Sequence, residues 1–89
     1  MIECCLSPKG IQSYCRDERL WANKLVINYL DEGYRLDIIL FTTYRSTKPK
    51  EILSRSFDTK EEMNTFIGSL RSLYPRIDIA IYDYRKGEN

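Results

Sequence analysis

The most apolar stretch of the chain, residues 25–41, is divided near its middle by a short polar Asp-Glu-Gly segment. Apolar side chains recur in it at every second position, and this predicts a β-hairpin in which Gly33 supplies a positive φ for the turn. Pairing Asp31 with Tyr34 gathers one apolar set on a single face, whereas a shift of one residue would mix polar and apolar partners. The expected core face is Leu25, Ile27, Tyr29, Leu36, Ile38 and Leu40.

The opposite face of this hairpin is not cleanly polar. It carries Val26, Leu30, Ile39 and Phe41 beside Asn28, Arg35 and Asp37. A sheet with one solvated face alternates more strictly. We therefore expect a helix of the chain, a second copy or another protein to cover this second face.

Two helices are predicted, one before the hairpin and one after it. Ser7 and Pro8 are an N-cap and a first helical residue, and we expect a short helix through about Arg19. The second helix begins after the N-cap Thr59, in a capping box with Glu62, and ends before a proline. Its apolar stripe repeats at helical spacing and contains Met63, Phe66, Ile67, Leu70 and either Leu73 or Tyr74.

Further strands are predicted at residues 1–6, 51–57 and 76–84. In the second of these, either Leu53 and Phe57 or Ile52 points inward. The order β-α-β-β-β-α-β predicts an α+β domain with an antiparallel sheet of four to five strands. This order resembles a ferredoxin-like split βαβ sandwich with one added strand, which implies two helices on one face and no particular function.

Composition indicates one globular domain, residues 1–89, with a net charge of +1 that gives no bulk attraction to nucleic acid. The three cysteines, Cys4, Cys5 and Cys15, are an odd count and are expected to be free thiols in a reducing cytoplasm. The sequence begins without the pattern of a signal peptide, and no segment reaches 18 apolar residues. We therefore expect a cytoplasmic protein with no membrane partner.

The chain contains no histidine, no CxxC pair and no glycine-rich loop. Because these carry most acid–base, zinc and phosphate chemistry, we expect no enzymatic activity, no cofactor and no metal. Cys15 is either a lone reactive thiol or, as we favour, a small buried hydrophobic residue. Asp37 is expected to face Asn28 as a solvated pair.

A basic segment beside the third strand offers a second kind of surface. It contains Tyr44, Arg45, Lys48, Lys50 and Arg55. Nucleic acid or an acidic protein could dock there. The simpler explanation is an edge strand that charge and proline protect from aggregation.

Three explanations compete for the second sheet face: the first helix folds across it, a protein binds it, or it stacks RNA bases on aromatic side chains. The RNA-binding signature [KR]-G-[FY]-[GA]-F-V is absent. We expect a small accessory, adaptor or inhibitor protein, of the size that mobile elements often encode, which binds another protein or a second copy of itself. The alternative is nucleic-acid binding through the basic segment. The expected protein interface is Val26, Leu30, Ile39, Phe41, Tyr82 and Tyr84.

Overall fold

The structure, a computed structural model, describes residues 7–43 and 45–85. Its elements in chain order are α1 (Pro8–Glu18), β1 (Trp21–Tyr29), β2 (Tyr34–Phe41), β3 (Glu51–Phe57), α2 (Lys60–Leu73) and β4 (Asp78–Asp83). The strand predicted at residues 1–6 lies outside the described residues.

Both helices begin at the predicted N-caps. The Ser7 hydroxyl accepts the Gly10 N–H at 3.0 Å, and the Thr59 hydroxyl accepts the Glu62 N–H at 3.2 Å. Each bond satisfies one of the amides that a first helical turn leaves without a partner. The C-cap of α1 is Arg19, which has a left-handed backbone conformation with a φ of 59°. Its N–H donates to the Arg16 carbonyl and so completes the end of the helix.

The four strands form one mixed sheet in the order β3-β2-β1-β4. β2 is antiparallel to both β1 and β3, whereas β4 is parallel to β1. The predicted α+β class with two helices is confirmed. The all-antiparallel sheet is wrong, and the described residues match neither five strands nor the ferredoxin-like order.

Chain direction explains the parallel pair. Two successive hairpins leave β1 and β3 running the same way, and α2 returns the chain so that β4 runs that way too. A strand with this direction can be antiparallel only to β2, and both edges of β2 are already occupied. β4 must therefore be parallel to its neighbour, which in this fold is β1.

The hairpin keeps its predicted faces although its register differs from the prediction by two residues. Tyr29 pairs with Tyr34, whereas the prediction placed Asp31 there. Because side chains alternate with a period of two, a shift of two leaves every residue on its predicted face.

The turn explains this shift. The predicted two-residue turn requires a positive φ at Glu32, but among the described residues of this loop only Gly33 has one, at 89°. The chain instead uses a four-residue loop in which the Leu30 N–H donates to the Gly33 carbonyl at 3.1 Å. A Cβ atom at Gly33 would lie 2.8 Å from the Phe57 carbonyl oxygen, so glycine is required here for two reasons.

Both helices pack on the same face of the sheet. α1 buries Ile11 and Cys15 in the cluster that also contains the α2 stripe and the predicted hairpin core. On β3, Phe57 is buried and Leu53 packs against the cluster, while Ile52 is exposed. The explanation in which the first helix crosses the second sheet face is therefore wrong.

Candidate interaction surface on the edge strand

β4 is an edge strand whose side chains are nearly all exposed. Its six residues pair with β1 along one side, in a register that sets Ile79 beside Leu25 and Tyr82 beside Asn28. The exposed fractions are 37% for Ile79, 57% for Ile81 and 50% for Tyr82, and Tyr84 just beyond the strand is 58% exposed. Four of the six large hydrophobic residues exposed in the described chain thus lie on this one edge.

The helices explain why the isoleucines are exposed. Ile79 and Ile81 pair with Leu25 and Ile27, so they lie on the face that the helices cover elsewhere. However, the helices pack against β1, β2 and β3. Ile77, just before the strand, is still buried in the core cluster. Beyond it, β4 extends past the cover of the helices and exposes apolar side chains on both faces.

Among the described residues, no strand pairs with the outer edge of the β4 backbone. The Tyr84 N–H donates to the Tyr29 carbonyl at 2.8 Å, so the polar backbone groups of Tyr84 face β1. Since these groups alternate in direction along a strand, those of Ile79 and Ile81 point away from β1. An edge of this kind is a template for a strand of another chain.

An ion pair between Arg85 and Asp83 lies at the end of this strand. The Arg85 guanidinium donates from Nε to Asp83 Oδ1 at 2.9 Å and from Nη2 to Oδ2 at 2.7 Å. These hydrogen bonds lower the pKa of Asp83 to about 2. The same guanidinium lies 4.9 Å from the centre of the Tyr29 ring. Arg85 thus connects the end of β4 to Tyr29, the last residue of β1.

The interface residues predicted from the sequence differ in their exposure to solvent. Tyr82 and Tyr84 are exposed, whereas Val26, Leu30 and Ile39 are half-buried. Phe41 is only 8% exposed. It is not part of the core cluster under the helices, because it lies on the other face of the sheet, where it pairs with Trp21 of β1. Because Phe41 offers little surface to a partner, the exposed apolar surface is centred on β4.

The centre of the second sheet face is a polar network. Asn28 is 2% exposed, and its Nδ2 donates to Asp37 Oδ2 at 3.0 Å and to the Arg35 carbonyl at 3.1 Å. Ser54 Oγ donates to Asp37 Oδ1 at 2.6 Å, and Arg35 Nε lies 3.4 Å from the same oxygen. The expectation of a solvated pair is wrong for Asn28, because the face closes over it and the amide must be satisfied within the protein.

The structure separates the residues of the basic segment. Arg45, Lys48 and Lys50 are exposed on the loop before β3, while Tyr44 lies outside the described residues. Arg55 is five residues beyond Lys50, or about 17 Å along the strand. Its guanidinium lies 4.8 Å from the Phe57 ring centre and 5.0 Å from that of Phe66. Arg55 therefore packs over core aromatics rather than joining the loop.

A cleft of about 530 Å³ lies between the ends of the two helices, with Cys15 and Tyr74 in its lining. Burial raises the pKa of the Cys15 thiol, despite a hydrogen bond with Tyr74. A raised pKa lowers the thiolate fraction and hence the nucleophilicity. Cys15 is 2% exposed, as predicted for a small buried hydrophobic residue.

In the part of the chain that the structure describes, no group of three or more cysteine, aspartate or glutamate side chains could hold a metal ion. Neither helix in the described ranges is long and apolar enough to cross a membrane. No protein-family model, curated protein or solved structure matches this chain.

Sequence reasoning missed Ile79 and Ile81, which the predicted interface does not include. Their exposure depends on where the helices end across the sheet, and one sequence does not contain that information. The available signal was the composition of β4, the last strand of the described ranges, which carries apolar side chains on both faces. A strand of this kind is either fully buried or exposed for pairing.

Proposed function

We propose that this chain is a small non-enzymatic protein-binding module that pairs the free edge of β4 with a strand of another polypeptide. The observation that carries this proposal is the concentration of exposed apolar side chains on one edge strand, whose outer backbone groups have no strand of the described ranges, 7–43 and 45–85, beside them. In strand addition, backbone hydrogen bonds give affinity, and the alternating side chains give specificity. β4 offers both.

The energetics are adequate for this role. Full burial of an isoleucine or a large aromatic side chain stabilises a complex by about 1.5–3 kcal/mol each, before the cost of association. Ile81, Tyr82 and Tyr84 are each half-exposed or more, so about half of that gain remains available at each. The charged residues Asp78 and Asp83 at the strand ends resemble the polar rim of a protein interface.

Two isoleucines allow a matched test. Ile81 on β4 and Ile52 on β3 are similarly exposed, at 57% and 54%, on opposite edges of the same sheet. Immobilised wild type, Ile81→Lys and Ile52→Lys are each incubated with native lysate and an untagged copy of the chain, and the retained proteins are quantified by mass spectrometry. We expect a protein that wild type and Ile52→Lys retain and Ile81→Lys loses. Equal retention by all three would contradict the proposal.

The basic loop gives the alternative function. Arg45, Lys48 and Lys50 are exposed together, and this favours docking of an anionic polymer such as nucleic acid. Such binding weakens steeply as salt rises, because phosphate contacts release counterions.

A further inference from the structure

Resting on the proposed function, we infer that the strand that pairs with β4 is β4 of a second copy, so that two chains form one continuous eight-stranded sheet about a twofold axis. Antiparallel neighbours related by such an axis keep the same faces in register. The two helical layers then lie on the same side of the joined sheet, each over its own β1, β2 and β3.

Symmetry limits the register. Since side chains alternate between faces, residues that face each other across the axis have numbers with an even sum. With the axis at Ala80, Ile79 faces Ile81 of the second copy, and Asp78 faces Tyr82. No two acidic residues then oppose each other, and the four isoleucines form one apolar block over the axis.

The backbone agrees with this register. The outward groups of β4 belong to Ile79 and Ile81, as the hydrogen bond from Tyr84 to Tyr29 fixes by alternation. These two residues face each other across the axis, so each pair exchanges two hydrogen bonds. Moving the axis to Ile81 would instead set Ile79 against Asp83 and leave a single pair of isoleucines across the axis, whereas the axis at Ala80 forms two such pairs. Of these two axes, the one at Ala80 is therefore favoured.

The register also predicts a cross-link. Ala80 faces Ala80 of the second copy across the axis, and the two form a non-hydrogen-bonded pair, in which the Cα atoms lie about 4.5 Å apart. This spacing falls within the range that a disulfide accepts. Ala80→Cys, in a background with Cys4→Ser and Cys5→Ser, should form a covalent dimer on mild oxidation. Ser56→Cys, exposed on the opposite edge strand, should not.

Sedimentation over a concentration series measures the association itself. We expect wild type and Ile52→Lys to form dimers with the same dissociation constant and Ile81→Lys to dimerise at least about 100-fold more weakly, because two isoleucines are lost per dimer. A second variant, Ile81→Pro, removes an outward N–H and the isoleucine side chain but no hydrogen bond to β1, and proline is tolerated on edge strands, so it should also be a folded monomer by circular dichroism.

Other outcomes overturn the inference. A wild-type monomer throughout the series refutes the dimer, and a dimer that Ile81→Lys leaves intact refutes the β4 contact. A dimer without the Ala80→Cys cross-link refutes the register. If the wild type is a monomer but Ile81→Lys still loses a foreign protein that wild type captures, the proposed function stands without the dimer. If that capture also fails to depend on Ile81, both proposals fall.

Discussion

Replacing Asn28 by aspartate changes one buried amide into a carboxyl group of the same shape. Asn28 is 2% exposed, and its Nδ2 donates to Asp37 Oδ2 at 3.0 Å and to the Arg35 carbonyl at 3.1 Å. The substitution removes both donors and places a second carboxylate beside Asp37. We expect a large loss of stability at pH 7 that shrinks as the pH falls.

The size of the loss in stability is set by whichever state of the new carboxyl group, ionised or protonated, costs less free energy. Two unit charges about 4 Å apart repel by about 4 kcal/mol at an effective dielectric constant of about 20. Protonating the new carboxyl at pH 7 instead costs about 1.4 kcal/mol for each pH unit above its ordinary pKa of about 3.9, which is also about 4 kcal/mol. The lost bond to the Arg35 carbonyl adds about 1 kcal/mol. The expected loss is therefore about 5 kcal/mol at pH 7.

The sign of the pH dependence is fixed by the folded state. The introduced carboxyl at position 28 has a raised pKa when folded, so it holds a proton that the unfolded chain releases above about pH 4. The loss should therefore fall by about 1.4 kcal/mol per pH unit below pH 7 and reach about 1–2 kcal/mol at pH 4.5. Urea denaturation of both proteins at each pH measures it.

Asn64→Asp is the matched control, because Asn64 is exposed on α2. It should change the free energy of unfolding by less than about 0.5 kcal/mol at either pH. A loss below about 1 kcal/mol for Asn28→Asp, or one that does not change with pH, would refute the buried network.

Three further predictions test other parts of the account. Phe41→Asp should lower the free energy of unfolding by at least about 3 kcal/mol in urea denaturation, because the ring is buried; a folded, stable variant would contradict this. The hydrogen bond from the Tyr14 hydroxyl to Glu51 Oε1, at 2.6 Å, raises the pKa of Tyr14 to about 12, so a contribution to stability present below pH 10 is lost as the pH rises towards 12. Tyr14→Phe should flatten the profile of stability between these pH values, and an unchanged profile would argue against that bond. If the basic loop binds nucleic acid, Lys48→Glu with Lys50→Glu abolishes a salt-sensitive affinity for an oligonucleotide; no binding by the wild type at low salt would end that alternative.

Local sequence rules predicted the elements well. The capping side chains of Ser7 and Thr59 fix where the helices begin, because each satisfies an amide within three residues of itself. The period of two fixed the faces of the hairpin even though the register was displaced, since a shift of two preserves them. These features depend on neighbours in the chain.

The parallel strand and the exposed edge could not be predicted in the same way. The position of β4 depends on which strand edges remain free after β1, β2 and β3 have paired. The exposure of Ile79 and Ile81 depends on how far the helices reach across the sheet. The burial of Phe41 on the second face is likewise a tertiary property. Such features are set by contacts between residues distant in sequence, for which one sequence gives no direct pattern.

Amide hydrogen exchange of β4, measured by NMR at low and high protein concentration, tests the outer edge of this strand most directly. The Ala80 and Tyr82 N–H groups point towards β1 and should be protected at every concentration. The Ile79 and Ile81 N–H groups should exchange rapidly in dilute protein and become protected as the concentration rises. If they exchange rapidly at every concentration while Ala80 and Tyr82 stay protected, the free edge of β4 does not pair with a second copy, and the central claim for the dimer is contradicted.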